Sequence, residues 1–281
     1  MTSSTTLATD AARGFADVIG DPIEHSRSPI IHQFWLDALG IAADYRRERV
    51  TVADFAAYVA RVRGDPLWRG SNVTMPLKRA ALDLAEEATD RAAAAGAANL
   101  LLLRDGKLFA ANTDIGAIAT LVDRERQAGR RADSITLFGT GGAARAALVA
   151  LKLLGVGLVR IQARDMAAAT KLSVEFGLAL APRPLTHPVD SDVLINATPL
   201  GMAGYPCLNC DLTLVADNGF VFDMVSAPAD TELVTAARAR GLAVVTGFDM
   251  LVEQAATSFK LMFGADPPRD RDAELWQRLR A

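Results

Sequence analysis

A glycine-rich stretch in the middle of the chain has the residue types and spacing that suit phosphate binding. It reads Gly139-Thr140-Gly141-Gly142-Ala143-Ala144 and fits the pattern G-x-G-x-x-[G/A]. The apolar run Ile135–Phe138 before it predicts a buried strand, and Ala143–Leu154 predicts a helix. In such a unit Gly139 permits the tight turn, Gly141 lets a pyrophosphate approach, and the helix start offers free N–H groups. We therefore expect a dinucleotide site, although a tight turn without a ligand would also fit the pattern.

Two further stretches place polar side chains beside the starts of predicted helices. Ser26 and Ser28 stand just before the predicted helix Ile30–Leu39. Their hydroxyls and the free N–H groups of the helix could bind a hydroxylated anion, or Ser28 could only cap the helix. Lys78 lies in the first turn of the predicted helix Pro76–Glu86, where a lysine gains nothing from the helix dipole. The alternative for Lys78 is a solvated side chain.

Three other polar residues are candidates for a site. Asp114 directly precedes the predicted helix Ile115–Gln127, so it could be only an N-cap. Asn99 is the one polar residue of an otherwise apolar predicted strand. Gln254 flanks the apolar stripe of the predicted helix Asp249–Phe263, where it could face a cleft or be a half-exposed surface amide.

The two cysteines, Cys207 and Cys210, have the spacing C-x-x-C. A structural zinc site usually needs a second pair of ligands, and the sequence has none nearby. The flanking Tyr205-Pro206 and Asp211 suggest a loop, whereas a redox pair is expected at a helix start. We expect two loop thiols and no metal.

The elements around these residues predict an α/β protein. From Ile135 onward short apolar strands alternate with helices, which indicates a parallel, doubly wound sheet. The predicted strands after the glycine turn are Leu158–Gln162, Asp192–Asn196, Phe220–Asp223 and Leu242–Val245. A final helix over Arg271–Arg280 carries Leu275 and Leu279 on one face, and we expect it to dock on the N-terminal part of the chain.

Composition sets limits on the partners of the chain. The 281 residues include 51% hydrophobic and 22% charged residues, which is typical of a globular protein. A net charge of -3 argues against nucleic acid or an anionic membrane as the main partner. No apolar run approaches the roughly 18 residues that span a bilayer. The stretch Met1–Arg13 lacks the features of a signal peptide, so we expect a frayed tail and a cytoplasmic protein.

Several separated motifs together resemble one family, the shikimate dehydrogenases. They follow the family order and extend over most of the chain, so their combination is more specific than any single motif. The matching segments are His25-Ser26-Arg27-Ser28-Pro29 (H-S-x-S-P), Asn72-Val73-Thr74-Met75-Pro76-Leu77-Lys78 (N-V-T-x-P-x-K), Gly96-Ala97-Ala98-Asn99 (G-A-x-N), Asn112-Thr113-Asp114 (N-T-D), Gly139–Arg145 (G-x-G-G-x-x-R), Asn196-Ala197-Thr198-Pro199 (N-A-T-P) and Met250-Leu251-Val252-Glu253-Gln254 (M-L-V-x-Q).

The resemblance implies an enzyme that interconverts 3-dehydroshikimate and shikimate with NADP. It also implies a substrate domain, residues 1–111 plus 249–281, and a Rossmann dinucleotide domain, residues 112–248. As the catalytic pair it implies Lys78 and Asp114. The implied substrate residues are Ser26, Ser28, Asn72, Thr74, Asn99 and Gln254. The implied cofactor residues are Gly139, Gly141, Gly142, Ala143, Arg164, Thr198, Met224 and Gly247.

This chemistry is consistent with the residue types. Oxidising a secondary alcohol removes a hydride from carbon and a proton from oxygen, and a lysine oriented by a carboxylate can accept and return that proton. A hydroxylated acid needs several neutral hydrogen-bonding side chains, because a missed hydroxyl leaves buried groups unpaired. No metal is required. We expect a monomer or homodimer whose partners are small molecules.

Three departures from the family pattern keep alternatives open. Family members commonly read Asn-Arg-Thr where this chain has Ala163-Arg164-Asp165. Arg164 could bind the 2′-phosphate of NADP, and Asp165 could instead bind the free ribose hydroxyl of NAD. Ser226 replaces a usual tyrosine and Asp249 a common glycine. The alternatives are therefore an NAD-dependent quinate/shikimate dehydrogenase, or a weakly active or non-catalytic nucleotide-binding regulator.

Overall fold

Two six-stranded sheets organise the chain in the computed structural model, which describes residues 13–280. The predicted N-terminal tail lies outside the described residues except for Arg13. The first sheet has the order β2-β1-β3-β5-β6-β4. Its strands are β1 Gly14–Gly20, β2 Ala43–Arg49, β3 Trp68–Val73, β4 Glu87–Ala88, β5 Leu100–Arg104 and β6 Lys107–Ala111.

The first sheet is mixed. Strand β1 pairs in parallel with β2 and β3, whereas β5 runs antiparallel to both β3 and β6. The β5–β6 hairpin turns at Asp105-Gly106, whose φ angles are 52° and 78°. This confirms the predicted Asp-Gly hairpin, since a tight two-residue turn needs positive φ at both positions.

Four helices belong to this part of the chain, and two of their starts differ from prediction. They are α1 Ser28–Leu39, α2 Phe55–Arg63, α3 Lys78–Leu84 and α4 Asp90–Ala95. Arg27, not Ser28, occupies the N-cap position of α1, and no side chain caps that helix. Helix α3 begins at Lys78 instead of Pro76, because a turn closed by Leu77 N–H donating to Thr74 O at 2.9 Å takes up the proline.

The second sheet confirms the doubly wound prediction. Its strands are β7 Ser134–Phe138, β8 Leu158–Ala163, β9 Arg183–Pro184, β10 Val193–Asn196, β11 Phe220–Asp223 and β12 Ala243–Val245. They lie in the order β12-β11-β10-β7-β8-β9, and every neighbouring pair is parallel. The strand order reverses between β7 and β10, which is where ligands bind in sheets of this type.

Helices connect and cover the two sheets. The remaining helices are α5 Thr113–Gln127, α6 Gly142–Leu153, α7 Met166–Phe176, α8 Glu232–Ala239, α9 Gly247–Phe263 and α10 Asp272–Arg280, with a short 3-10 turn at Arg269–Arg271. Helix α5 packs against both α6 and α9. It follows the first sheet directly, so it lies where the chain passes from one sheet to the other.

The C-terminal helices return to the first sheet. Val252, Ala255 and Phe259 of α9 belong to the same buried cluster as Leu275 and Leu279 of α10. The cluster also contains residues of β1, α1 and β5, so the predicted docking of the last helix is confirmed. No helix between residues 13 and 280 is both long and apolar enough to cross a membrane.

Candidate active site

The carboxyl ends of the second sheet bring the predicted cofactor residues to one edge. Parallel strands end on the same side, and Gly139, Arg164 and Thr198 follow β7, β8 and β10. Met224 follows β11, and Gly247 follows β12 at the start of α9. Ala143 lies in the first turn of α6. The chain order alone could not show this, because these residues are spread over more than a hundred positions.

The glycine turn is shaped for close approach of a ligand. Gly139 has a φ of 112°, and a Cβ there would lie 2.9 Å from the carbonyl oxygen of Ala197. The turn therefore abuts the loop after β10, across the point where the strand order reverses. Gly141 is exposed, and no described atom lies within 4 Å of the position that its Cβ would take. No described side chain caps α6, so its first N–H groups remain available to an anion.

The two residues after β8, Arg164 and Asp165, have different surroundings. Arg164 is exposed and forms no ion pair with any residue in the range 13–280. Asp165 is the N-cap of α7, and its Oδ1 accepts a hydrogen bond from Ala168 N at 3.0 Å. The carboxylate of Asp165 thus has a structural task that the sequence analysis did not assign to it.

The loops after β10 and β11 are held by a buried amide. Asn196 Oδ1 accepts hydrogen bonds from Thr198 N at 3.1 Å and Thr198 Oγ1 at 2.7 Å. Its Nδ2 donates to Asp223 Oδ1 at 2.9 Å, and burial raises the pKa of the Asp223 carboxyl. Met224 N donates to the Asn196 carbonyl at 3.0 Å. Asn196 therefore fixes the backbone around both Thr198 and Met224.

The start of α9 explains one departure from the family pattern. Thr246 and Asp249 form a capping box, in which each side chain accepts a hydrogen bond from the backbone N–H of the other. A Cβ at Gly247 would lie 2.1 Å from the carbonyl oxygen of Val225, so only glycine fits there. Asp249 is thus a helix-capping residue here, and it makes a reciprocal cap of a kind that glycine could not.

Lys78 and Asp114 form an ion pair between the starts of α3 and α5. Lys78 Nζ donates to Asp114 Oδ2, and the two side chains are 18% and 6% exposed. Asp114 is the second residue of α5, and Asn112 occupies the N-cap position. The N-cap interpretation of Asp114 and the solvated-lysine interpretation of Lys78 are therefore both wrong. The local sequence could not show this, because each residue has its partner in another element.

Asn99 and Gln254 surround the aspartate. Asn99 Nδ2 donates to Asp114 Oδ1 and to Thr113 Oγ1, both at 2.9 Å, and its Oδ1 accepts from Thr113 N at 2.7 Å. Gln254 is 8% exposed, and its Oε1 lies 3.4 Å from Asn99 Nδ2. Gln254 Nε2 donates to the Leu251 carbonyl at 2.9 Å. The interpretation of Gln254 as a surface amide is therefore wrong.

Asn72 and Thr74 lie at the end of β3 beside this cluster. Asn72 is buried and bonds to Tyr45 and Ser258, two residues that the sequence analysis missed. Ser258 stands four residues after Gln254 on α9, and that helical spacing was a signal that could have identified it. Thr74 is half-buried, and its methyl group fills the space beside Gly20.

Among the described residues the hydroxyls of Ser26 and Ser28 make only a local hydrogen bond, whereas the Ser26 carbonyl accepts one from Arg47 Nε at 2.8 Å. Ser28 N donates to Ser26 Oγ at 3.4 Å. Ser28 is buried in the first turn of α1, and His32 follows one turn later and stacks on Tyr45. His32 thus links α1 to Tyr45, whose hydroxyl bonds to Asn72, and neither serine is hydrogen-bonded to Asn72.

The two cysteines lie in a loop, as expected, and both are free thiols. A hydrogen bond with Glu232 raises the pKa of Cys207, and burial raises the pKa of Cys210 to about 11. Across residues 13–280 no group of three or more His, Cys, Asp or Glu side chains could hold a metal ion.

Comparisons with known proteins agree with this geometry. A family model for the shikimate dehydrogenase substrate binding domain matches residues 18–101, and one for the shikimate 5'-dehydrogenase C-terminal domain matches residues 247–274. A shikimate dehydrogenase (NADP(+)) of Sphingopyxis alaskensis is 46% identical over 269 residues, which cover 94% of this chain and 96% of the relative.

Solved structures show the same fold. The shikimate 5-dehydrogenase of Thermus thermophilus in complex with NADP(H) and shikimate has a TM-score of 0.80 and 31% identity, covering 95% of this chain and 99% of that one. The quinate dehydrogenase of Corynebacterium glutamicum in complex with NAD has a TM-score of 0.79 and 26% identity, with coverage of 95% and 99%. Since an identity of 46% extends over 94% of the sequence, the resemblance seen in the motifs is confirmed, and this chain belongs to the shikimate dehydrogenase family.

Proposed function

We propose that this chain catalyses the reversible, NADP-dependent reduction of 3-dehydroshikimate to shikimate. The observation that carries the proposal is the partly buried ion pair of Lys78 and Asp114, which lies beside the start of α6. The relative from Sphingopyxis alaskensis is a shikimate dehydrogenase (NADP(+)), and the Thermus thermophilus structure contains both NADP(H) and shikimate. These relatives support the same substrate and cofactor for this chain.

The proposed roles of the pair follow from proton transfer. When bound, the cofactor would supply the hydride for the reduction as NADPH and would accept it in the oxidation as NADP+. In the reduction Lys78 Nζ donates a proton to the substrate oxygen, and in the oxidation it receives that proton back. Asp114 holds the amine in place, and Asn99 fixes the carboxylate from its other oxygen at 2.9 Å. The amine is therefore presented in one position before substrate arrives.

Six neutral side chains make up the proposed substrate site. They are Ser26, Ser28, Asn72, Thr74, Asn99 and Gln254. Their hydroxyl and amide groups match a carboxylate that carries several hydroxyls, because each such group needs a hydrogen-bond partner once it is buried. We further propose that residues 1–111 with 249–281 form the substrate domain and residues 112–248 the cofactor domain.

The proposed cofactor site uses the edge of the second sheet. Gly139, Gly141, Gly142 and Ala143 form the turn and helix start that would face the pyrophosphate. Arg164 would bind the 2′-phosphate, since its guanidinium is exposed and has no described acidic partner. Thr198, Met224 and Gly247 would line the nicotinamide side. The cap formed by Asp165 supports NADP over NAD, because one oxygen of that carboxylate already accepts a hydrogen bond from the start of α7.

An absorbance assay tests the proposal. Purified protein is mixed with shikimate and either NADP or NAD, and reduced nicotinamide is followed at its absorbance band. We expect a rate with NADP that far exceeds the rate with NAD. A rate mainly with NAD and quinate would instead indicate the quinate/shikimate alternative. If the protein binds cofactor but turns over neither shikimate nor quinate, the proposed dehydrogenase activity is contradicted. That result would favour a nucleotide-binding regulator. The cytoplasmic location and the monomeric or homodimeric state stay predictions.

A further inference from the structure

Ser258 connects two of the elements that carry the proposed substrate site. Its side chain is fully buried on α9, one turn beyond Gln254. The Ser258 hydroxyl accepts a hydrogen bond from Asn72 Nδ2 at 2.9 Å and shares another with Thr113 Oγ1 at 3.0 Å. One oxygen therefore joins the end of β3 to the start of α5, next to Asp114.

The contacts of Asn72 allow only one orientation of its amide. Asn72 Nδ2 donates to the Asn99 carbonyl at 3.3 Å as well as to Ser258, and Asn72 Oδ1 accepts from the Tyr45 hydroxyl at 2.7 Å. A flipped amide would place Oδ1 against the Asn99 carbonyl, acceptor against acceptor. Burial raises the pKa of the Tyr45 phenol, so the phenol keeps the proton that it donates.

This orientation determines what Asn72 can offer a ligand. Both hydrogens of Nδ2 are engaged, by Ser258 and by the Asn99 carbonyl. Oδ1 has two acceptor positions, and Tyr45 occupies one of them. The free capacity of Asn72 is therefore a single acceptor, which suits a hydroxyl donor and not a keto or ether oxygen.

We propose that Ser258 is a positioning residue of the substrate site: it holds the Asn72 amide so that Asn72 accepts a hydrogen bond from a substrate hydroxyl. The inference rests on the function proposed above. Ser258 acts through Asn72 and touches neither substrate nor cofactor. Through Thr113, which bonds to Asn99, it also steadies the support of Asp114.

The variant Ser258→Ala tests the proposal. It leaves one Asn72 hydrogen without a partner in a buried site, so the amide keeps two of its three hydrogen bonds and is held less firmly. We expect the KM for shikimate to rise about tenfold, a change of about 1.4 kcal/mol, while the Kd for NADP changes by less than about twofold. Ser258→Thr keeps the oxygen and should restore much of the loss. Ser173→Ala is the matched control, because Ser173 is also buried on a helix but its hydroxyl has no described partner.

A double variant separates positioning from general packing. If Ser258 acts through Asn72, then adding Ser258→Ala to Asn72→Ala should change the KM for shikimate by less than about twofold. A full additional loss in that background would show that Ser258 does not act through Asn72, and it would overturn the proposal.

Tyr45→Phe provides a second test should Ser258→Ala unfold. It removes the hydrogen bond on the other side of the Asn72 amide and leaves the ring in place. We expect a similar rise in the KM for shikimate, at an unchanged Kd for NADP. An unchanged KM in Tyr45→Phe and in every folded Ser258 variant, with an active wild-type protein, would overturn this inference alone. An inactive wild-type protein would instead contradict the proposed function and this inference with it.

Discussion

The side chain of Lys78 lies directly against the backbone of Gly142. A Cβ at Gly142 would come 3.2 Å from Lys78 Cδ, which is closer than such atoms normally pack, and 3.4 Å from Lys78 Cβ. Gly142 is the first residue of α6, so the helix start that follows the glycine turn also limits where the Lys78 amine can lie. The proposed cofactor site and the proposed proton donor therefore meet at this contact.

Gly142→Ala should impair turnover more than cofactor binding. The added methyl group pushes on the stem of Lys78 and moves its amine away from the position set by Asp114. A displacement of a few tenths of an ångström should cost up to about tenfold in kcat, because reactions depend steeply on the alignment of the reacting atoms. Steady-state kcat and a titration of the NADP Kd measure the two effects separately.

Gly141→Ala is the matched control for this variant. Its added methyl group meets no described atom within 4 Å and would project into the space where a pyrophosphate approaches. We expect a raised KM for NADP and a nearly normal kcat at saturating cofactor. The same pattern of losses in both variants would show that the contact between Lys78 and Gly142 has no role in turnover.

Lys78→Met should abolish most turnover without loss of fold. Methionine keeps an unbranched stem against Gly142 but has no amine, so proton transfer loses its donor. We expect kcat to fall by about 10²–10⁴-fold with NADP affinity retained. Asp114→Asn should also lower kcat, because Lys78 then lacks the carboxylate that holds it. Single-turnover rates are the measurement, and a kcat near that of the wild-type protein in Lys78→Met would remove this lysine from the mechanism.

Arg164→Ala should weaken NADP and leave NAD nearly unaffected. A lost charge-assisted contact to the 2′-phosphate corresponds to a rise of roughly tenfold to a hundredfold in the KM for NADP. Asp165→Ser is the companion variant: serine can still cap α7, so the ratio of kcat/KM for the two cofactors should not change. A shift toward NADP in Asp165→Ser would mean that Asp165 does contact the ribose.

Local sequence signals predicted most of the fold, and with it the elements that carry the candidate site residues. The glycine turn, the alternation of strands and helices and the Asp-Gly hairpin each depend on neighbouring residues, and the structure has all of them. Helix starts were less certain, because the same residue types serve as caps and as ligands. Asp114 illustrates this: its position before an apolar helix is also compatible with an N-cap, and the resemblance, not the local sequence, pairs it with Lys78.

Contacts between distant segments could not be predicted in this way. Asn72 and Ser258 are 186 positions apart, and no periodicity links them. The same holds for Tyr45, whose place in an apparently ordinary strand gave no sign of its bond to Asn72. Asp249 departs from the family's common glycine, and its role follows from a residue three positions earlier, Thr246, with which it forms the capping box.

His32 should make the stability of the protein depend on pH. Its ring stacks on Tyr45 with centroids 4.0 Å apart, and neither ring nitrogen has a hydrogen-bond partner among the described residues. Burial lowers the pKa of His32 from its ordinary value of 6.5 to about 3. Below about pH 6.5 the unfolded chain binds a proton that the folded protein does not. The free energy of unfolding therefore falls as the pH decreases from about 6.5 toward 3, by up to about 1.36 kcal/mol per pH unit for this group.

His32→Phe tests that dependence, because phenylalanine keeps a ring to stack on Tyr45 but cannot titrate. At about pH 7.5 the variant should be as stable as the wild-type protein or more so, since it removes two unpaired buried nitrogens. Urea unfolding at several pH values should then show a shallower decline between about pH 6.5 and 4.5 than in the wild-type protein. Equal slopes for the two proteins would mean that His32 accepts a proton in the folded state as readily as in the unfolded chain. The burial of His32 against Tyr45 would then not contribute to the decrease in the free energy of unfolding at low pH.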